Sequence, residues 1–80
     1  MFTIYSTSNC NYCQNTKTLL QECNREYLEI ILDTPEKKKD FKTRTGFRTV
    51  PQIYLEDHHI GGYEELVSYL KGQHNNGVAY

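Results

Sequence analysis

Tryptophan is absent from this 80-residue chain, methionine occurs once and proline twice. Bulk for a core must therefore come from seven tyrosines, three phenylalanines and the aliphatic residues. No apolar run is long enough to span a membrane, so no membrane partner is expected. Neither sign of charge dominates: nine basic residues face ten acidic ones. The longest like-charge run, Lys37-Lys38-Lys39, is flanked by Glu36 and Asp40. Nucleic-acid binding needs a dominant basic field, so no such partner is expected. Met1-Phe2-Thr3-Ile4-Tyr5 lacks the charged and apolar regions of a secretory leader, and the expectation is a cytoplasmic protein. A dense, even-numbered cysteine framework is also missing. Three cysteines in a short chain point away from a secreted disulfide scaffold and toward catalytic or metal-binding use.

What is present is one small domain's worth of pattern. Phe2–Tyr5 reads as a strand with Phe2 and Ile4 on one face and Thr3 and Tyr5 on the other. Ser6-Thr7-Ser8-Asn9 is a polar turn rich in residues that start helices. A helix is expected over Asn11–Asn24, with Cys13, Thr16, Leu20 and Cys23 recurring at helical spacing. Tyr27–Leu32 is a second strand, and its run Ile30-Ile31-Leu32 predicts burial on both faces. Asp33-Thr34-Pro35 opens a helix over Glu36–Thr45, anchored by Phe41 and ended by Gly46. Ile53–Leu55 and His58–Ile60 form a hairpin about Glu56-Asp57. Tyr63, Leu66, Val67 and Leu70 define a last helix to about Lys71. The domain is expected over residues 1–71, with 72–80 a loose tail.

The order β-α-β-α-β-β-α implies an α/β fold. A right-handed crossover joins the first two strands in parallel, and the hairpin follows. The expected architecture is thioredoxin-like, a four-stranded mixed sheet flanked by three helices.

Cys10-Asn11-Tyr12-Cys13 follows a strand and opens a helix, which is the strongest chemical signal in the chain. Residues three apart on a helix have Cβ atoms roughly 5–6 Å apart, close enough for the sulfurs to be joined. The helix N-terminus supplies unpaired N–H groups and the positive dipole end, and both favour a thiolate. Cys10 is thus the expected nucleophile and Cys13, one turn inside, the buried resolving thiol. Two cysteines that merely pack are the plain alternative. A zinc site would need further ligands, and Cys23, His58, His59 and His74 show no ligand spacing; no metal is expected. Cys23 reads as a packing residue.

Together, Cys10-Asn11-Tyr12-Cys13, Thr49-Val50-Pro51 and Gly61-Gly62-Tyr63 resemble the glutaredoxin family, and the small dithiol members in particular. The resemblance extends from Phe2 to about Lys71. It implies reduction of protein disulfides and glutathione mixed disulfides, with glutathione as cosubstrate and no tightly bound cofactor. It implies that Tyr12 walls the glutathione site. Pro51 would be cis, leaving the Val50 backbone free to pair with extended glutathione beside Thr49. Gly62 and Tyr63, at the start of the last helix, would receive the γ-glutamyl carboxylate. Glu64 and Glu65 would meet its ammonium group, although acidic residues favour the first turn of any helix. Lys38 falls where the family often places a glutamine against the glycine carboxylate, but as a surface lysine in a charged run it reads first as a solvated side chain.

Asn11 replaces the family's usual proline, and Thr7 and Ser8 stand where a basic residue is common. The implied partners are glutathione and disulfide-containing proteins, ribonucleotide reductase among them, with the protein a monomer. Two rival readings stay open. Gly46-Phe47-Arg48 resembles redoxins served by thioredoxin reductase, and some glutaredoxins bind an iron–sulfur cluster through the first cysteine.

Overall fold

Seven elements make up the chain in the computed structural model, which describes residues 1–74. They are β1 (Phe2–Ser6), α1 (Asn11–Glu22), β2 (Tyr27–Ile31), α2 (Pro35–Thr45), β3 (Gln52–Leu55), β4 (His58–Gly61) and α3 (Tyr63–His74). The sheet runs β2-β1-β3-β4. β1 pairs in parallel with β2, while β1–β3 and β3–β4 are antiparallel. This is the four-stranded mixed sheet with three helices that the element order implies.

Alternation along β1 decides which helix covers which face. Phe2, Ile4 and Ser6 are buried, with Thr3 and Tyr5 half-buried between them. Phe2 and Ile4 join Leu20 of α1, Ile53 of β3, and Leu66 and Leu70 of α3 in one cluster. Each such side chain contributes about 1.5–3 kcal/mol on burial. The opposite face is aromatic. Tyr5 packs on Phe41 of α2 at 4.5 Å between ring centroids and edge-on to Tyr54 at 5.7 Å. Phe41 is the buried residue of α2, the anchor its sequence offers.

Helix ends follow local chemistry. Thr34 caps α2 by accepting from the Lys37 N–H, and Pro35 takes the first position, one residue earlier than expected. Gly46 closes α2 in the left-handed conformation, φ 82°. α1 ends at Glu22 rather than Asn24, because Cys23 caps it and Asn24 turns left-handed at φ 56°. α3 continues to His74, past Lys71. Gly72 within it costs only about 1 kcal/mol, less than the turns anchored by Leu66 and Leu70 supply. Residues 75–80 lie outside the described part, and with them most of the segment read as a tail.

One expectation is overturned. β2 is an edge strand, and Leu28 and Ile31 are 53% and 42% exposed. An apolar run of this length is compatible with burial on both faces or with an edge, and the run alone does not separate them.

β2 is tied to its neighbours by Glu29. Its carboxylate accepts from the Ser6 hydroxyl at 2.6 Å and pairs with Lys17 of α1 at 3.0 Å. The Ser6 hydrogen bond, with help from Lys17 and against some desolvation, holds the Glu29 carboxyl below the ordinary glutamate range. A lowered folded value means that the ionised form stabilises the fold. That contribution is full above about pH 4.3, the ordinary value, and is lost as pH falls through the folded one. Glu29→Gln should cost about 1–2 kcal/mol near pH 7. The gap should narrow at about pH 4, below the ordinary value, and shrink further as pH falls through the lowered folded one. Urea unfolding of both proteins at the two pH values measures this, and a pH-independent gap would contradict it.

Candidate active site

Cys10 sits where β1 has ended and α1 begins, as the N-cap residue of that helix. Its extended backbone, φ −105° and ψ 111°, turns the side chain back over the helix start. The sulfur accepts from the Cys13 N–H at 3.0 Å, the bond that Ser or Asp oxygens usually make there. Cys10 and Cys13 are joined as a disulfide, with Cα atoms 5.1 Å apart. Cys13 is fully buried and Cys10 half-buried, so attack from solvent is open to Cys10. Cys23 is a free, half-buried thiol packed against the main core.

The Val50–Pro51 peptide is cis. Pro51 is buried, and the Val50 carbonyl oxygen lies 3.8 Å from the Cys10 sulfur. Val50 precedes β3, so its backbone lies outside the ladder. The proline ring removes a donor at this point, leaving the edge beside the sulfur free of a competing N–H.

Tyr12, Val50, Pro51, Gly62, Tyr63, Glu64 and Glu65 line one groove of about 270 Å³. Tyr12 projects at its rim, 58% exposed, and its ring lies 5.9 Å from that of Tyr63. Lys38 and Thr49 do not line this groove. They line an adjoining cavity that shares Val50 with it. Glu65 folds back so that its Oε1 accepts from the Gly62 N–H at 2.8 Å. This is half of a capping box, with glycine at the cap. The spacing Gly62-x-x-Glu65 carries that signal in the sequence.

A second feature escaped the sequence reading. Gln52 is buried, and its amide nitrogen donates to both the carbonyl and the hydroxyl oxygen of Thr49, each at 3.1 Å. Its oxygen therefore faces His59 Nε2 at 2.8 Å, and the His59 N–H donates. Phe47 stacks on the His59 ring at 4.3 Å. Four residues from two segments thus brace the turn that carries Val50 and Pro51. Polar residues on a half-buried hairpin give no pairing signal in sequence.

Ser8 donates to Asp33 through its backbone N–H at 3.0 Å and through its hydroxyl. Those bonds hold the Asp33 carboxyl below the ordinary aspartate range. The β1–α1 turn is thereby tied to the loop before α2. No group of three or more potential metal ligands occurs among the described residues.

Such an arrangement is a redox site in chemical terms: a half-buried sulfur at a helix N-terminus, a fully buried partner one turn on, and a strand edge beside them. A glutaredoxin family model matches residues 2–60. Glutaredoxin 1 of Rickettsia conorii is 39% identical over 66 residues, covering 79% of this chain. The chain spans 65% of that relative, just under two thirds of its length. Glutaredoxin 1 of Francisella tularensis, solved with cacodylate, superposes with a TM-score of 0.80 at 30% identity, covering 94% of this chain and 96% of that one. A buckwheat glutaredoxin–glutathione complex gives 0.77 at 26% identity, covering 90% and 69%. The chain belongs to the glutaredoxin family.

Gly61, next to the groove residue Gly62, is packed tightly against Glu65. Its φ is +129°, and an added Cβ would meet Glu65 Cβ and Cγ at 2.7 Å. Gly61→Ala should lower stability by about 1–3 kcal/mol. The midpoint of chemical denaturation measures it, and an unchanged midpoint would contradict the packing described.

Proposed function

We propose that the protein is a glutathione-dependent thiol–disulfide oxidoreductase. It reduces protein disulfides and glutathione mixed disulfides through Cys10 and Cys13, as a monomer in the cytoplasm. The observation that carries this reading is the Cys13 N–H aimed at the Cys10 sulfur at the start of α1.

The Cys10 thiolate attacks one sulfur of the substrate disulfide. A Cys10–substrate disulfide forms, the substrate S–S bond breaks, and the departing thiolate takes a proton. Cys13 then gives up its proton and attacks the Cys10 sulfur. The second substrate thiol leaves and a Cys10–Cys13 disulfide closes. The substrate has gained two electrons and two protons. Two glutathione molecules restore the dithiol through a Cys10–glutathione disulfide and leave as oxidised glutathione.

Glutathione fits the groove by chemistry. Its extended backbone pairs with Val50 while Tyr12 walls its side. The Gly62 N–H is taken by Glu65, so the γ-glutamyl carboxylate meets the first-turn N–H groups of Tyr63 and Glu64. The Glu64 carboxylate lies at that end for the ammonium group. The glycine carboxylate points past Val50 toward Thr49 and Lys38. Support also comes from the buckwheat relative, whose structure holds glutathione. Ribonucleotide reductase is one protein substrate the resemblance implies.

Cys10→Ser should lower reduction of every disulfide at least about 1,000-fold, since the nucleophile is lost. Cys13→Ser should keep reduction of glutathione mixed disulfides within about tenfold, because free glutathione resolves the Cys10 adduct. It should lose most activity on protein disulfides. Coupled assays with glutathione and glutathione reductase, or with thioredoxin reductase, measure this. A dead Cys13→Ser beside an active Cys10→Ser would reverse the roles, and turnover with thioredoxin reductase alone would overturn the glutathione dependence.

A further inference from the structure

Val50 borders two cavities. On one side lies the groove ending at Glu64 and Glu65; on the other lies a cavity of about 540 Å³, twice as large. Phe41 and Phe47 contribute apolar surface to it, and Lys38, Lys39, Lys42 and Arg48 all line it. No carboxylate is among the described residues that line it. Four cations around one opening are unusual in a chain whose net charge is −1.

Surface lysines are ordinarily just solvated. Two observations separate these from that reading. Lys38 and Lys42 are four residues apart on α2, and Lys39 and Lys42 three apart. Like charges at those spacings lower helix stability, and Arg48 joins them from a different segment. The α2 acid that forms an ion pair, Asp40, is held by Arg44. Lys39, Lys42 and Arg48 have no ion-pair partner among the described residues. The site is therefore polar along its length: acidic at the α3 end, basic at the α2 end, with the sulfur of Cys10 beside Val50 between them.

We propose that the α2 cavity docks the polypeptide flanking the reactive cysteine of a protein substrate, and that it selects acidic residues there. This rests on the oxidoreductase reading above. Glutathione's glycine brings one carboxylate, which Lys38 answers; Lys39, Lys42 and Arg48 are left for a longer chain. The selected positions lie on the flank of the substrate cysteine that runs past Val50 into this cavity. Complementary charge across the rim speeds encounter and sets which flank faces α2.

The test is single-turnover oxidation of the reduced protein by synthetic peptides, each closed by one internal disulfide. The peptides differ only in three Asp, three Asn or three Lys residues, placed on the N-terminal or the C-terminal flank. No glutathione is present, so the electrons come from the Cys10–Cys13 dithiol. On one flank the Asp peptide should react about tenfold faster than the Lys peptide at low salt, with the ratio shrinking as salt rises. Lys39→Glu combined with Lys42→Glu should abolish or invert the ratio, and Arg48→Glu, from the other segment, should shift it in the same direction. Equal rates for Asp and Lys peptides on both flanks would overturn the inference, as would a preference untouched by both variants. Reduction of none of the peptides would overturn the oxidoreductase reading and this inference with it.

Discussion

The bond from the Cys13 N–H to the Cys10 sulfur is the constraint on which the site depends. It makes a cysteine do the work of a helix cap. The helix then gives back one N–H and its positive end to the sulfur. That exchange requires α1 to start at Asn11, one short turn after a strand that is fixed in the core. β1 meets the requirement because Phe2 and Ile4 are locked among α1, α3 and β3. The turn between them is further tied down by Ser8 and Asp33. Cys13 is buried for the same reason that Thr16 and Leu20 are: all three lie on the stripe of α1 that faces the sheet.

The second support comes from the opposite side. Pro51 brings Val50 alongside the sulfur, and Gln52 with His59 and Phe47 braces that turn. Gly62, whose Cβ position would lie in ordinary contact with the Pro51 carbonyl oxygen at 3.6 Å, completes the wall. Three segments far apart in sequence thus meet at the groove beside the sulfur. α2 is held to the other sheet face through Phe41 and contributes charge rather than contact to the cysteines.

Much of this is legible in the chain. The Cys-x-x-Cys spacing at a strand–helix junction carries its own physics, and the alternation of β1 and the periodicity of α1 assign their buried faces correctly. Other features are not written locally. Whether Ile30-Ile31-Leu32 is central or at an edge depends on which strands pair, and the run reads the same in both cases. The tie from Glu29 to Ser6 and Lys17 joins three elements and has no sequence period. Gln52 and His59 are seven residues apart across a hairpin, and only the register, with Tyr54 opposite His59, brings them near. Glu65 is different: its spacing from Gly62 is that of a capping pair, and its carboxylate caps α3, whereas the family resemblance implies a ligand role for it.

The central claim is that the start of α1 makes Cys10, and neither Cys13 nor Cys23, the reactive thiol. The most direct measurement is the rate at which each cysteine of the fully reduced, folded protein is alkylated at neutral pH, followed by peptide mass spectrometry. Cys10 should be modified at least about tenfold faster than the other two, as expected for a thiolate at a helix N-terminus compared with the buried Cys13 and with Cys23, which lies at the other end of the helix. First modification at Cys13 or Cys23, or equal rates at all three, would contradict the account.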